Sequence, residues 1–172
     1  DGLAGRLILA DAIEVPLEAN PGTAEADHFA GYRAAGVNRL SIGVQSLDDT
    51  KLAGLGRIHR AAEARRACEL ARAAGFDNLN LDLMYGLPRQ SLDEALDDLR
   101  GLFALAPEHL SWYQLTLEPN TVFHRRPPPL PHDDELADIA DAGQQLLAEQ
   151  GYRQYEVSAY ARPDRHCRHN LN

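Results

Sequence analysis

The chain has 172 residues, 44% hydrophobic and 25% charged, with 17 Lys and Arg against 26 Asp and Glu for a net charge of -9. The apolar share supplies a core and excludes a disordered tail, while the acidic balance leaves no basic surface to hold a phosphate backbone by counterion release, so nucleic acid is not an expected partner. The only two cysteines, Cys68 and Cys167, stand far apart with no CxxC, which excludes a disulfide framework or a closed metal site built from this chain alone and points to a reducing, cytoplasmic setting.

The first residues, Asp1, Gly2 and Leu3, carry no initiator Met and no basic leader, and no later apolar run could span a bilayer. The expectation is a chain that begins mid-protein and has no transmembrane segment. Residues 13–19 form the first predicted strand, stopped by Asn20, Pro21 and Gly22, after which Thr23 can cap a helix carrying Phe29 and Tyr32. A second strand covers 39–45, an Ala-rich helix 60–74, and a third strand 78–84, which Gly86, Leu87 and Pro88 terminate. Ser91 and Glu94 make a capping box ahead of Leu92, Leu96, Leu99 and Leu102. A fourth strand runs over 110–117. The prolines at 127, 128, 129 and 131 lack amide donors and suit an extended connector, which divides the chain into 1–126, 127–132 and 133–172. Beyond it Asp133 can cap a helix to about Gln150, and 152–158 alternates as a strand. Strands alternating with helices predict an α/β fold with a mainly parallel sheet.

A parallel sheet buried on both sides should be apolar on both, and these strands are not. One face of the first carries Glu14, Pro16, Glu18 and Asn20. The same face of the second carries Ser41, Gly43 and Gln45, of the third Asn78, Asn80 and Asp82, and of the fourth Trp112, Gln114, Thr116 and Glu118. The opposite faces are aliphatic: Leu17, Leu40, Ile42, Val44, Leu79, Leu81, Leu83 and Leu115 would pack under helices. The expectation is a partial (β/α) barrel with a polar interior, in which Glu18, Gln45, Asp82 and Thr116 meet near the C-terminal strand ends. A single Gln or Thr there is ordinarily a turn or cap partner. Asp82, between Leu81 and Leu83, makes the sharper demand, since a buried carboxylate must find donors or a cation. Arg57, in a glycine-flanked loop, reads as a solvated arginine or as a fork for a bound carboxylate.

Three runs then resemble a known family. Leu17-Glu18-Ala19-Asn20-Pro21, Arg39-Leu40-Ser41-Ile42-Gly43-Val44-Gln45-Ser46 and Leu81-Asp82-Leu83-Met84-Tyr85-Gly86-Leu87-Pro88 are similar, in order and spacing, to the oxygen-independent coproporphyrinogen III oxidase group of radical-SAM proteins, and the resemblance covers nearly the whole chain. It implies a TIM-type barrel in which Glu18, Gln45, Arg57 and Asp82 contact S-adenosylmethionine and Thr116 lines the cofactor further on. That ligand's ammonium, carboxylate, ribose diol and adenine edge suit acids, an arginine and amide or hydroxyl partners. It also implies a [4Fe-4S] cluster held by a CxxxCxxC segment, which this sequence does not contain and which is expected upstream of Asp1. Without it this chain alone is expected to be catalytically silent and to present unpaired barrel edges.

One branch of the group oxidatively decarboxylates a porphyrinogen; the other binds haem and hands it to acceptor proteins. The ending from Tyr155 to Pro163, then Cys167, Arg168, His169, Asn170, Leu171 and Asn172, resembles the haem-chaperone branch, where an HNxxYW segment is associated with haem. Read on spacing, His169 is a loop histidine; the resemblance makes its imidazole a candidate haem ligand and leaves Cys167, two residues away, undecided. The rival reading is a coproporphyrinogen III dehydrogenase. Elsewhere, Cys68 reads as a small core residue, and Asp93, Glu94, Asp97 and Asp98 as a solvated first turn. His59 could line the site, whereas His28, His109, His124, His132 and His166 read as surface or loop residues.

Overall fold

The computed structural model describes residues 13–22 and 28–171, the side chains of His169 and Leu171 excepted; Thr23 lies outside that range. Its strands are β1 (Pro16–Ala19), β2 (Arg39–Gln45), β3 (Leu79–Tyr85), β4 (His109–Gln114), β5 (Arg153–Glu156) and β6 (Ala159–Ala161). Its helices are α1 (Phe29–Ala34), α2 (Asp49–Gly54), α3 (Ala61–Ala73), α4 (Leu92–Phe103), α5 (Val122–Arg125) and α6 (Asp133–Glu149), with a 3-10 turn at Arg168–Leu171. One sheet joins the strands in the order β1-β2-β3-β4-β6-β5. The first four are parallel, β6 runs antiparallel to β4, and β5 antiparallel to β6. This is a segment of a (β/α) barrel wall, with the helices among the described residues packed on one face of the sheet.

The covered face is the core. Leu40, Ile42, Val44, Leu79, Leu81 and Leu83 are fully buried, as period-2 strands under helices require. Ala64, Ala67 and Ala71 let α3 lie close on them, and Ala95, Leu99 and Leu102 present the apolar stripe of α4. The capping box is present: the Glu94 amide donates to Ser91 Oγ at 3.3 Å, and the Ser91 amide to Glu94 Oε2 at 2.8 Å. At α6 the cap falls on His132, one residue before the expected Asp133, because the His132 amide donates to Glu135 Oε2 at 2.7 Å. Helix α2, unanticipated, is opened by Asp48, whose carboxylate accepts from the amides of Thr50 at 2.6 Å and Lys51 at 3.2 Å.

Three expectations are corrected here. The fourth strand has the opposite phase: Leu83 pairs with Trp112 and Asp82 with Ser111, so Trp112 faces the helices and His109, Ser111 and Tyr113 take the polar face. The cause is packing. Trp112 is 2% exposed, lies against Tyr85 with ring centroids 4.4 Å apart, and sits on Gly143 of α6, where any Cβ would overlap its six-membered ring. The strand expected over 152–158 is instead the hairpin β5–β6, turned at Ser158 with φ of 61°. All three residues of β6 are buried beside β4, whereas β5 is mostly exposed. Finally, Asp98 does not belong to the solvated acidic face. It is buried, accepting from Ser46 Oγ at 2.7 Å and the Leu47 amide at 2.8 Å, and so fixes the chain leaving β2 onto α4.

Candidate functional site

The uncovered face of the sheet carries the chemistry. Strand register sets Glu18 beside Ser41, Ser41 beside Asn80, and Asn80 beside His109, with Asp82 beside Ser111 one step further along. A bulge between Ile42 and Gln45 breaks the ladder, and Gln45 adopts φ of 67°. Bulges and left-handed non-glycine residues re-aim a side chain at a local energetic cost. Here the result is a buried Gln45 amide whose Oε1 accepts from the Tyr113 hydroxyl at 2.7 Å. Gly43 makes room for it, since a Cβ there would stand 3.0 Å from Gln45 Nε2.

A cleft of about 310 Å³ opens at the C-terminal half of β1–β3, lined by Glu18, Ser41, Gly43, Gln45, Arg57 and Asp82 among others. Four of the five residues named for S-adenosylmethionine are therefore brought together. Thr116 is not: it follows the end of β4, is exposed, and its hydroxyl donates to Glu118 Oε1 at 2.9 Å. Arg57 reaches the rim from the loop after α2. That loop is anchored by His59, which is buried with Nε2 3.1 Å from the Val44 carbonyl, and by the Arg57 amide donating to the Leu52 carbonyl at 2.9 Å.

Asp82 accepts from Asn80 Nδ2 at 2.7 Å and from Ser41 Oγ at 3.3 Å, with no cation among these partners. Burial pushes its carboxyl above the usual carboxylate range; bonds from Ser111, Asn80 and Ser41 oppose that push, and the neighbouring Glu18 charge adds to it. Two carboxylates in one cleft, one desolvated and short of positive charge, form a receptor for a cation or for hydroxyl and amine donors. The guanidinium of Arg57 on the same cleft offers the complementary place for an anion.

A second cleft of about 280 Å³ adjoins the first at the N-terminal strand ends, lined by Glu18, Arg39, Asn80, His109, Cys167 and Asn170 among others. His109 is a correction to the expectation of a surface histidine. It is 2% exposed, with Nδ1 2.5 Å from Asn80 Oδ1 and Nε2 2.6 Å from the Tyr155 hydroxyl, and burial depresses its pKa to about 3, helped by the charges of Arg39 and His166. Cys167 lies at this end, its Sγ 3.5 Å from Glu14 Oε1. The 3-10 turn contains His169, whose side chain falls outside the described set. Cys68 is in the core, burial pushing its thiol up to about 11. Among the described residues, no group of three or more His, Cys, Asp or Glu could hold a metal ion, and no helix is long and apolar enough to cross a membrane. His109, Ser111 and Tyr113 carried a period-2 signal that Trp112, between them, obscured.

Comparison with known proteins adds three findings. The family model described as Radical SAM superfamily matches residues 3–102. The chain is 60% identical over 172 residues to "Heme chaperone HemW" of Escherichia coli strain K12, covering all of this chain and 46% of that protein. It is 60% identical over 162 residues to the protein of the same name from Haemophilus influenzae, covering 94% of this chain and 42% of that one, so it spans less than half the length of these curated relatives. Among solved structures, coproporphyrinogen III oxidase (HemN) from Escherichia coli, described as a radical SAM enzyme, superposes with a TM-score of 0.84 at 28% identity, over 94% of this chain and 38% of that one.

Proposed function

The chain belongs to the radical SAM superfamily, in the group that contains HemN and HemW, and from that premise we propose that it serves a haem chaperone, one that binds S-adenosylmethionine and haem and passes haem to an acceptor protein. The observation that carries this reading is that the 60% identity to a haem chaperone is taken over all 172 residues, an alignment that extends over the Cys167 to Asn172 segment. The cleft supports the nucleotide half. Asp82 and Glu18 would take the ligand's ammonium and hydroxyl donors, Arg57 its carboxylate, and Gln45 an amide-like edge. When bound, S-adenosylmethionine supplies a sulfonium carbon–sulfur bond that a [4Fe-4S] cluster can cleave reductively. The described residues do not provide ligands for such a cluster. What they do is bind, orient and desolvate the nucleotide on the inner wall.

For haem, His169 is the proposed iron ligand and Cys167 a second soft donor beside it. Absorption titration of hemin into the full-length protein should give a ligated Soret band in the wild type and a shifted, weaker one in His169→Ala; identical spectra would remove His169 from the site. The structural likeness to HemN favours a second reading, oxidative decarboxylation of a porphyrinogen. Vinyl-bearing product from coproporphyrinogen III would establish that reading, and haem handover without turnover would exclude it.

A further inference from the structure

The two clefts are joined by a directed chain of hydrogen bonds. Asn80 Oδ1 can only accept, so His109 Nδ1 carries the proton and donates to it at 2.5 Å. The ring is neutral, which leaves Nε2 as an acceptor, and the Tyr155 hydroxyl must donate to it at 2.6 Å. The two remaining lone pairs of Tyr155 accept from the Cys167 amide at 3.0 Å and from Asn170 Nδ2 at 3.3 Å. At the other end Asn80 Nδ2 donates to Asp82 Oδ1 at 2.7 Å. Every link has one consistent direction, from the Cys167 amide through Tyr155, His109 and Asn80 to the Asp82 carboxylate. Neither Tyr155 nor His109 lines the S-adenosylmethionine cleft, and Tyr155 meets Cys167 at its backbone amide, so both act through the groups they hold.

We propose that Tyr155 and His109 are positioning residues that couple occupancy of the Asp82 cleft to the placement of the Cys167–Asn170 segment, and hence to haem affinity. The inference rests on the reading that S-adenosylmethionine binds at Asp82 and haem at this segment. A ligand donor on Asp82 fixes the carboxylate that Asn80 Nδ2 meets and so orders the chain of bonds from that end back to the Cys167 amide. A second ligand that needs the same segment ordered then loses less conformational freedom on binding. The sign of the coupling is therefore positive, and linkage makes it reciprocal.

The test uses the full-length protein, titrated with hemin in the presence and absence of saturating S-adenosylmethionine. S-adenosylmethionine should tighten hemin binding at least about fivefold in the wild type. In Tyr155→Phe it should bind with near-wild-type affinity and leave hemin affinity unchanged. A wild-type protein that binds both ligands independently, or a Tyr155→Phe protein that keeps the wild-type ratio, overturns the inference with the functional reading intact. Absence of either ligand's binding to the wild type overturns that reading itself. Should Tyr155→Phe not fold, hydrogen exchange decides the matter in the wild type: the Cys167 amide should exchange more slowly with S-adenosylmethionine alone, and an unchanged rate contradicts the coupling.

Discussion

Asp82→Asn in the full-length protein is expected to weaken S-adenosylmethionine binding by about ten- to a hundredfold, the loss of a charge-assisted hydrogen bond, while leaving the ligand-free fold at least as stable as the wild type. The two effects have opposite signs for one reason. Burial raises the folded-state pKa of Asp82 above its ordinary 3.8, so the native chain binds this proton more tightly than the unfolded chain does. Its contribution to stability therefore falls as pH rises from about 3.8 through the raised value, and the charged form is a standing penalty at neutral pH. Asparagine removes the penalty and can still meet Asn80 and Ser41. Calorimetric titration alongside thermal melting at pH 4 and pH 7 checks both parts; the stability gain should appear at pH 7 and shrink at pH 4. A variant with weakened binding and a lowered Tm at pH 7 would mean that Asp82 is structural.

Gly143→Ala should destabilise the protein by about 2 kcal/mol, an overpacking cost of up to about 3 kcal/mol less the roughly 1 kcal/mol that alanine gains over glycine within a helix. The added methyl falls into the six-membered ring of Trp112, a side chain pinned between α6 and Tyr85, with no soft neighbour to give way. Trp112→Phe withdraws the atoms that clash. The double variant should therefore be less destabilised than the sum of the singles, and urea unfolding of the four proteins measures that non-additivity. Additive losses would show that α6 shifts away from the sheet instead.

How far the sequence carried these conclusions differs from strand to strand. The limits of β2 are legible because it lies between two paired strands and its alternation runs unbroken in sequence from Arg39 to Gln45. The same alternation in β1, β2 and β3 is enough to place Glu18, Gln45 and Asp82 on one face. In β4 it failed, since tryptophan is apolar enough to face helices and polar enough to be read as lining a cavity; only its fit against Gly143 settles the face. Thr116, counted on the same alternation, lies past the end of β4 and is exposed. The β5–β6 hairpin turns on a serine with positive φ, a conformation for which its residue type gives no sign. The residues alone leave Arg57 as either a solvated arginine or a fork for a carboxylate, the family resemblance implies the second, and its position depends on the His59 anchor, which joins residues of separate elements. His109 shows the same limit: nothing beside it in the sequence indicates burial, because its partners Asn80 and Tyr155 lie 29 and 46 positions away.

The most direct measurement is a crystal structure of the full-length protein with S-adenosylmethionine bound. Density for the nucleotide between Glu18, Gln45, Arg57 and Asp82, with a carboxylate oxygen of Asp82 or Glu18 on one of its donors, is the predicted result. An ordered nucleotide that touches neither carboxylate would contradict the assignment of this cleft.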